Sequence, residues 1–362
     1  SKMYHVHILF DKIIAETRAR HIILSYNNDG LMSKDFIEST LKRYGFENTY
    51  TCLSIDYKKY NNTKCQGKEG HVEYLFYIEK KPTESVVVES PLNYTGSKSK
   101  MIDIIKQHLP AQPFNTLIDV FGGGFNVGIN IPSNETIYND INPFVKGLIE
   151  SFRTDVYSYL MYVSRLINKY SLAPDNKEGY LALREKYNET PIEKRDPRML
   201  YTLILYGFQQ QIRFNTNHGF NNPAGSRWFN EFLLSKFISF ARCSRNKNVV
   251  YTNVSFEQLI DRVTPETFVY ADPPYRSTLG VYNDGKRGFE GWTIRHERNL
   301  CEFFDQIHER GSHFMLSYVL HVNDFYNQEV AGWAEEHNYR VIDIDVPQGR
   351  YNNRREVLIT NY

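Results

Sequence analysis

The residues best suited to chemistry stand together at Asp272-Pro273-Pro274-Tyr275, directly after the β-forming run Thr267-Phe268-Val269-Tyr270-Ala271. This pattern predicts a buried strand whose carboxyl end opens into a rigid corner, and in open α/β sheets ligands bind beyond the carboxyl ends of strands. The two prolines fix φ and carry no N–H, so the carbonyls beside them are free to face a ligand. An acid, a free carbonyl and an aromatic ring on one stiff corner suit a planar group that bears an amine. The oxygens accept from the amine and the ring stacks on the plane. A nucleobase drawn out of its stack is such a group. Asp-Pro and Pro-Pro are also ordinary turn punctuation, so the corner gains meaning from what accompanies it.

Two further clusters accompany it. Gly96-Ser97-Lys98 opens a predicted amphipathic helix from Ser99 to His108, with Met101, Ile104, Ile105 and Leu109 on one face. Free N–H groups and an ammonium at a helix start suit a carboxylate or phosphate; a plain capped helix start reads the same way. Next, a predicted strand from Asn115 to Phe121 runs into Gly122-Gly123-Gly124, where a ligand can approach the backbone closely. About twenty residues after the first glycine a second strand ends at Tyr138-Asn139-Asp140-Ile141-Asn142, and an acid at that place binds a ribose hydroxyl pair. The spacing is that of a nucleoside-binding βαβ unit. It is not Gly-x-Gly-x-x-Gly, which disfavours a dinucleotide, and a Gly-Lys-Ser/Thr phosphate loop is missing.

Between these clusters, residues 143–245 are mostly helical in pattern. Arg198 to Gln211 is apolar around much of its circumference and predicts a buried helix. It leads into Gln209-Gln210-Gln211-Ile212-Arg213-Phe214-Asn215 and the amide-rich loop Gly219 to Gly225. Gln and Asn can pair with adenine and Arg with guanine, but such loops are as often plain surface. Residues 190–250 hold nine Lys/Arg against three acids, although the whole chain has a net charge of only +1. That bias is weak evidence for a polyanion partner.

The elements that must position these residues form an α/β pattern of short apolar runs separated by helices. With 362 residues, 41% hydrophobic and 23% charged, the chain reads as one large or two ordinary soluble domains. No apolar run approaches the roughly 18 residues that span a bilayer, and Met3 to Phe10 does not read as a signal peptide. Cys52, Cys65, Cys243 and Cys301 are scattered, as reduced cytosolic thiols are, and no metal-ligand cluster is visible. Residues 276–292, with four glycines, predict a mobile flap over the corner.

The first 82 residues echo the last part of the chain. His21-Ile22-Ile23-Leu24-Ser25-Tyr26 matches His313-Phe314-Met315-Leu316-Ser317-Tyr318, and Tyr60-Asn61-Asn62 matches Tyr351-Asn352-Asn353. Serine and tyrosine are 35 residues apart in one copy and 34 in the other. Glu73 to Ile78 then echoes Glu356 to Ile359. Each copy reads as strand, helix, and two strands closing in a hairpin. Residues 83–91 read as a linker, residues 92–155 and 248–362 as the main domain, and residues 156–247 as a helical insertion.

Over residues 90–362 these motifs, in this order, resemble the Dam-like adenine-specific DNA methyltransferases (D12 class, alpha group). The lysine-bearing motif comes first, then the glycine loop, the target-recognition region and Asp-Pro-Pro-Tyr. The resemblance implies a Rossmann-like S-adenosylmethionine-dependent methyltransferase sheet with a mainly helical target-recognition insertion. It implies that Tyr94, Lys98, Asp140 and Asp272 contact S-adenosylmethionine, and the full cofactor-binding expectation is Tyr94, Gly96, Lys98, Asp119, Phe121, Gly122, Gly124, Asp140, Ile141 and Asp272. Asp272, Pro273, Pro274 and Tyr275 are the expected catalytic residues, holding a flipped adenine. Phe208, Gln209, Gln211, Arg213, Asn215, Asn221 and Arg227 are the expected contacts to double-stranded DNA. No metal is expected. A place in a bacterial or phage-type cytoplasm is implied, with a restriction endonuclease that acts on the same site without a stable complex. Phe121-Gly122-Gly123-Gly124 departs from the usual Phe-x-Gly-x-Gly. Phe208 to Arg213 departs from the Tyr-Asn-Gly-Leu-x-Arg of GATC-methylating relatives, so that target is not carried over. Residues 1–82 resemble the closing part of another member, as in FokI-type tandem enzymes, and are expected to be catalytically silent. The competing readings are methylation of the cytosine N4 amine, a silent DNA-binding specificity module, and a dinucleotide oxidoreductase.

Overall fold

The computed structural model describes residues 3–56, 71–94, 96–276, 291–344 and 354–362. The first part of the chain forms a small layered unit. Helix α1 (Met3–Glu16) precedes strand β1 (His21–Asn27), helix α2 (Lys34–Tyr44), and strands β2 (Thr51–Asp56) and β3 (Val72–Glu79). The start of α2 is set by Ser33, whose side chain accepts from the Phe36 N–H, a standard N-cap. Phe36, Ile37, Leu41 and Tyr44 fall at helical spacing and are buried. The strands pair antiparallel in the order β1-β3-β2.

A larger sheet follows. Helix α3 (Ile102–Gln107) leads to β4 (Thr116–Asp119), β5 (Glu135–Asn139) and α4 (Pro143–Ser151). Four helices come next, α5 (Val156–Lys169), α6 (Lys177–Glu189), α7 (Pro197–Tyr206) and α8 (Glu231–Asn246). The chain then returns to the sheet with β6 (Val249–Thr252), β7 (Thr267–Ala271), α9 (Ile294–Glu309) and β8 (His313–Val322). It ends with β9 (Phe325–Tyr326), α10 (Gln328–Glu336), β10 (Arg340–Ile344) and β11 (Arg355–Thr360). Strand order is β10-β11-β8-β7-β4-β5-β6, with β9 beside β8. The β4–β5, β5–β6, β4–β7 and β7–β8 pairs are parallel, and β10, β11 and β9 add antiparallel.

Buried parallel strands need apolar side chains on both faces, and β7 provides them. Phe268, Val269, Tyr270 and Ala271 are all at most 1% exposed, each large one contributing about 1.5–3 kcal/mol by burial. Sheet order reverses between β4 and β7, since the chain runs outward through β5 and β6 on one side and through β8 on the other. A reversal point of this kind opens a crevice at the carboxyl edge.

Two predicted elements differ. Helix α7 stops at Tyr206 instead of continuing to Gln211. At that point Gly207 packs so tightly on Gly225 that a Cβ on Gly225 would lie 2.5 Å from the Gly207 oxygen. Gln209 and Gln210 then take left-handed φ of 51° and 56°, which no helix accommodates. The segment read as a linker is bound along its length: the Val88 N–H donates to Asn130 and the Ser90 N–H to Asn126, at 2.8 and 2.9 Å.

The two ends of the chain share a topology. β1-β3-β2 and β8-β11-β10 have the same order and sense. Ser25 faces Leu75 as Ser317 faces Leu358, and Leu53 faces Leu75 as Ile342 faces Leu358. A helix precedes each copy, α1 in one and α9 in the other, which the short sequence matches did not reveal. The Tyr-Asn-Asn matches, and the predicted flap over 276–292 apart from residues 276, 291 and 292, lie outside the described residues.

Candidate active site

Three acids mark the carboxyl edge of the sheet. Asp119 ends β4, Asp140 follows β5, and Asp272 follows β7. The last of them anchors a compact cluster. The Lys98 ammonium lies 2.8 Å from Asp272 Oδ2, donates to the Tyr275 hydroxyl at 2.8 Å, and is 3.3 Å from Glu356 Oε1. Tyr275 in turn donates to Asp272 Oδ1. Its ring stands edge-on to Tyr318 with centroids 5.3 Å apart. Burial alone would lower the Lys98 pKa, but Asp272, Tyr270 and Glu356 together raise it, so the lysine is a fixed cation. Burial pushes the Asp272 carboxyl above its ordinary value, with Lys98 and Tyr275 pulling against that rise.

The glycine loop lies alongside. Gly123 has φ +47°, and a Cβ there would come within 2.7 Å of the Tyr94 ring. A Cβ on Gly122 would run into the Tyr138 ring. Asp140 clasps the loop by accepting from the Gly123 N–H at 3.1 Å, and it also accepts from the Asn142 N–H at 2.8 Å. Tyr138 donates to the Gly123 carbonyl at 2.8 Å. The result is a strip of backbone without side chains, beside an acid and beside Ile141, which is 46% exposed. Such a strip fits a nucleoside-bearing cofactor: backbone for close approach, an acid for ribose hydroxyls, and an apolar side chain for a flat ring. Phe121, packed on Phe256 and Trp292, closes the far side. Gly96, with φ +80°, has no atom within 4 Å of a Cβ.

Asp119 is different. It is 2% exposed, and its Oδ2 accepts from the Gly128 N–H at 2.9 Å. Burial first, then Asp272 and Asp140, push its carboxyl up to about 7. A carboxyl raised on folding contributes full stability below its unfolded value and loses it as pH rises through the folded one. In the ligand-free chain stability should therefore fall by about 3 kcal/mol between pH 4 and pH 7 on this account. Asp119→Asn should flatten that part of the profile. Urea melts at pH 4.5 and 7.5 test it; an unchanged slope in the variant would remove Asp119 as the cause.

The expected DNA-contacting residues are not part of this cluster. They lie on the closed excursion from Gly207 to Ala224, whose ends pair with each other. A hydrogen bond from Asn93 to the Gln209 carbonyl, at 2.8 Å, links it to the residue before Tyr94. Phe208 and Arg213 are exposed, as is Arg227 beyond the loop. Gln211 donates to the Gln209 side chain at 3.1 Å. Asn215 has a structural duty, since its side-chain oxygen accepts from the N–H groups of Asn217 and Gly219. The Asn221 Oδ1 is buried. Sequence reasoning missed Glu356 and its partner Arg354, 3.0 Å away, and the buried Glu297, which accepts from Tyr318 and Asn327. An acid opening the apolar run of β11 was the available signal for the first.

An α/β sheet with a glycine loop and three acids at its reversal point is the architecture of a methyltransferase-type enzyme. Residues 94–343 match the family described as D12 class N6 adenine-specific DNA methyltransferase, and the chain belongs to that family. It is 35% identical to the Type II methyltransferase M.FokI of Planomicrobium okeanokoites, over 98% of this chain and 58% of that protein. It is 32% identical to the modification methylase StsI of Streptococcus sanguinis, over 97% of this chain and 57% of that one. Similarity to the DNA adenine methylase of Escherichia coli (strain K12) is 26% over 62% of this chain and 79% of that protein. The chain thus spans little more than half the length of the first two relatives. Among the described residues no helix is long and apolar enough to cross a membrane.

Proposed function

We propose that this chain methylates the N6 amine of an adenine flipped out of double-stranded DNA, with S-adenosylmethionine as methyl donor. The observation that carries the reading is Asp272 at the carboxyl end of β7, beside the glycine loop, in a chain of the adenine-specific family. When bound, S-adenosylmethionine supplies an electrophilic methyl group on a sulfonium that leaves easily. The chain's own residues do the rest. An adenine amine is a poor nucleophile because its lone pair is delocalised into the ring. Asp272 and the Pro273 carbonyl accept its N–H bonds, turning the lone pair out of the ring plane. Pro274 stiffens the corner, and Tyr275 stacks on the base once its hydroxyl leaves Asp272. Most of the gain is alignment and electrostatics. Asp272, whose carboxyl burial pushes up, can take the proton the methylated amine gives up. Tyr94, Gly96, Lys98, Asp119, Phe121, Gly122, Gly124, Asp140, Ile141 and Asp272 would line the cofactor, Asp140 at its ribose and Ile141 at its ring.

The test is transfer of labelled methyl to unmethylated genomic DNA, followed by nucleoside mass analysis. Methyladenine supports the reading. Methylcytosine assigns the cytosine N4 chemistry, and the absence of both product and cofactor binding assigns a silent binding module. The names of the relatives place them in modification; we propose the same setting here, with an endonuclease that shares the site and not the complex. For sequence reading, Arg213 is an exposed cation on the 207–224 loop. Arg213→Ala should relax preference at one base pair, by about 1–3 kcal/mol if the contact is bidentate. Sequencing of the methylated positions decides it, and an unchanged preference removes Arg213 as a reader.

Residues 1–82 we read as the closing part of a second sheet of the same kind, catalytically silent in this chain. Support comes from the shared register and from the outer face of the small sheet. Ile23, Leu53, Ile55 and Leu75 are exposed there. Their counterparts Met315, Ile342, Ile344 and Leu358 belong to an apolar cluster with Ile102, Ile105 and Phe268. Methyl transfer that survives removal of Asp272 would overturn the silent assignment.

A further inference from the structure

We propose that Glu356 is a positioning residue that receives the Lys98 ammonium when Asp272 turns to the target amine, and so clears the acid for the reaction. The inference rests on the role given to Asp272 above.

As the site stands, both Asp272 oxygens are engaged, Oδ2 by Lys98 and Oδ1 by the Tyr275 hydroxyl. Lys98 presents N–H donors to the acid that the amine of the base is meant to engage. The amine can dock on Oδ1 once Tyr275 leaves it, since a carboxylate has about four acceptor sites. A cation held on Oδ2 draws off the charge that activates the amine, so the acid acts fully only when Lys98 shifts. Lys98 is only 5% exposed, so it cannot shift into water. A buried cation that loses its counter-charge is strongly destabilised, which makes the second partner decisive.

That partner is Glu356 Oε1, 3.3 Å away and itself buried. Among the described residues, the other acceptors for the ammonium besides Asp272 and Glu356 are the Tyr275 hydroxyl and the Gly96 carbonyl at 3.4 Å, both neutral. Glu356 Oε2 is held by Arg354 at 3.0 Å, while Oε1 makes no hydrogen bond among the described residues. One oxygen is thus anchored and the other waits at slightly more than bonding distance. The β11 backbone is shaped for this: its register with β8 shifts between Arg355 and Glu356, and such bulges re-aim a side chain. The first copy of the repeat supplies a control. Glu73 occupies the equivalent place and, among the described residues, has no lysine partner; it accepts from the Ser25 hydroxyl at 2.5 Å. The acid's engagement with a cation follows from Lys98 and not from the sheet.

The test is a double-mutant cycle in the full chain with Glu356→Gln, Lys98→Met and both together, read by single-turnover methyl transfer and by DNA affinity. Glu356→Gln should slow transfer about tenfold or more with DNA affinity nearly unchanged. In the Lys98→Met background the same substitution should add almost nothing. An unaffected single variant, or additive losses in the double, would overturn the proposal, because a purely structural acid acts with or without the lysine. If Glu356→Gln fails to fold, the cycle is run with Glu356→Asp and judged by the same rule. A wild-type chain that transfers no methyl defeats the activity reading alone. Thermal melts of the same four proteins then decide the Lys98–Glu356 pairing: coupling upholds it and additivity overturns it.

Discussion

Asp272→Ala is expected to reduce methyl transfer by about three orders of magnitude or more, with folding and DNA affinity largely kept. The loss is large because Asp272 is asked to act on the reacting nitrogen itself. It accepts from the amine as the lone pair turns toward the methyl carbon, a contact that strengthens only as charge develops. Folding should survive because the neighbours keep partners. Lys98 still has Glu356 at 3.3 Å and the Tyr275 hydroxyl at 2.8 Å. Removing a carboxyl that burial pushes up also removes a desolvation cost. On the reading proposed above, DNA affinity belongs to the 207–224 loop and its charged neighbours. Single-turnover transfer, a DNA titration and a thermal melt on one preparation separate these quantities. A fall in DNA binding and melting temperature to match the fall in rate would make Asp272 a structural acid and end the catalytic assignment.

What was legible in the sequence follows a physical division. The strand before Asp272 was readable because burial is encoded locally, in a run of β-formers. The repeat was readable because a strand keeps its inward residues in order: Ser25 and Ser317 hold the same place in the same register. The end of α7 was not. Its apolar character continues past Tyr206, and what stops it is contact with Gly225, far along the chain. Nor could spacing show that Lys98 lies on Asp272, since 174 residues separate them and only the sheet's reversal point joins them. Asn215 has a duty the sequence did not show: beside its expected place at the DNA, its side-chain oxygen builds the turn.

Arg242→Met should have the largest effect on stability, about 3–5 kcal/mol. The reason lies where the small N-terminal unit meets the helical insertion, with α2 against α8 and α1 against α5 and α8. Asp11 on α1 has no exposed surface. Its carboxylate accepts from Arg242 at 2.9 Å and from the Tyr44 hydroxyl at 2.8 Å, and Arg242 also donates to that hydroxyl at 2.9 Å. Burial raises the Asp11 carboxyl even with the guanidinium beside it, so Arg242 offsets the desolvation without abolishing it. Methionine keeps most of the packing and deletes the charge, leaving a buried carboxylate with one hydroxyl. The sign with pH follows from the raised carboxyl: its contribution is whole at low pH and lost as pH rises through the folded value, a value the substitution raises further. The variant should therefore be nearly normal in acid and progressively weaker toward neutrality. Asp11→Asn added to Arg242→Met should restore most of the loss, because the cost lies in the unpaired charge and not in the missing contact. Denaturant melts of the single and double variants at two pH values measure all of this. A single variant within about 1 kcal/mol of wild type would mean that water reaches Asp11, and that the N-terminal unit is held to the insertion by its apolar contacts alone.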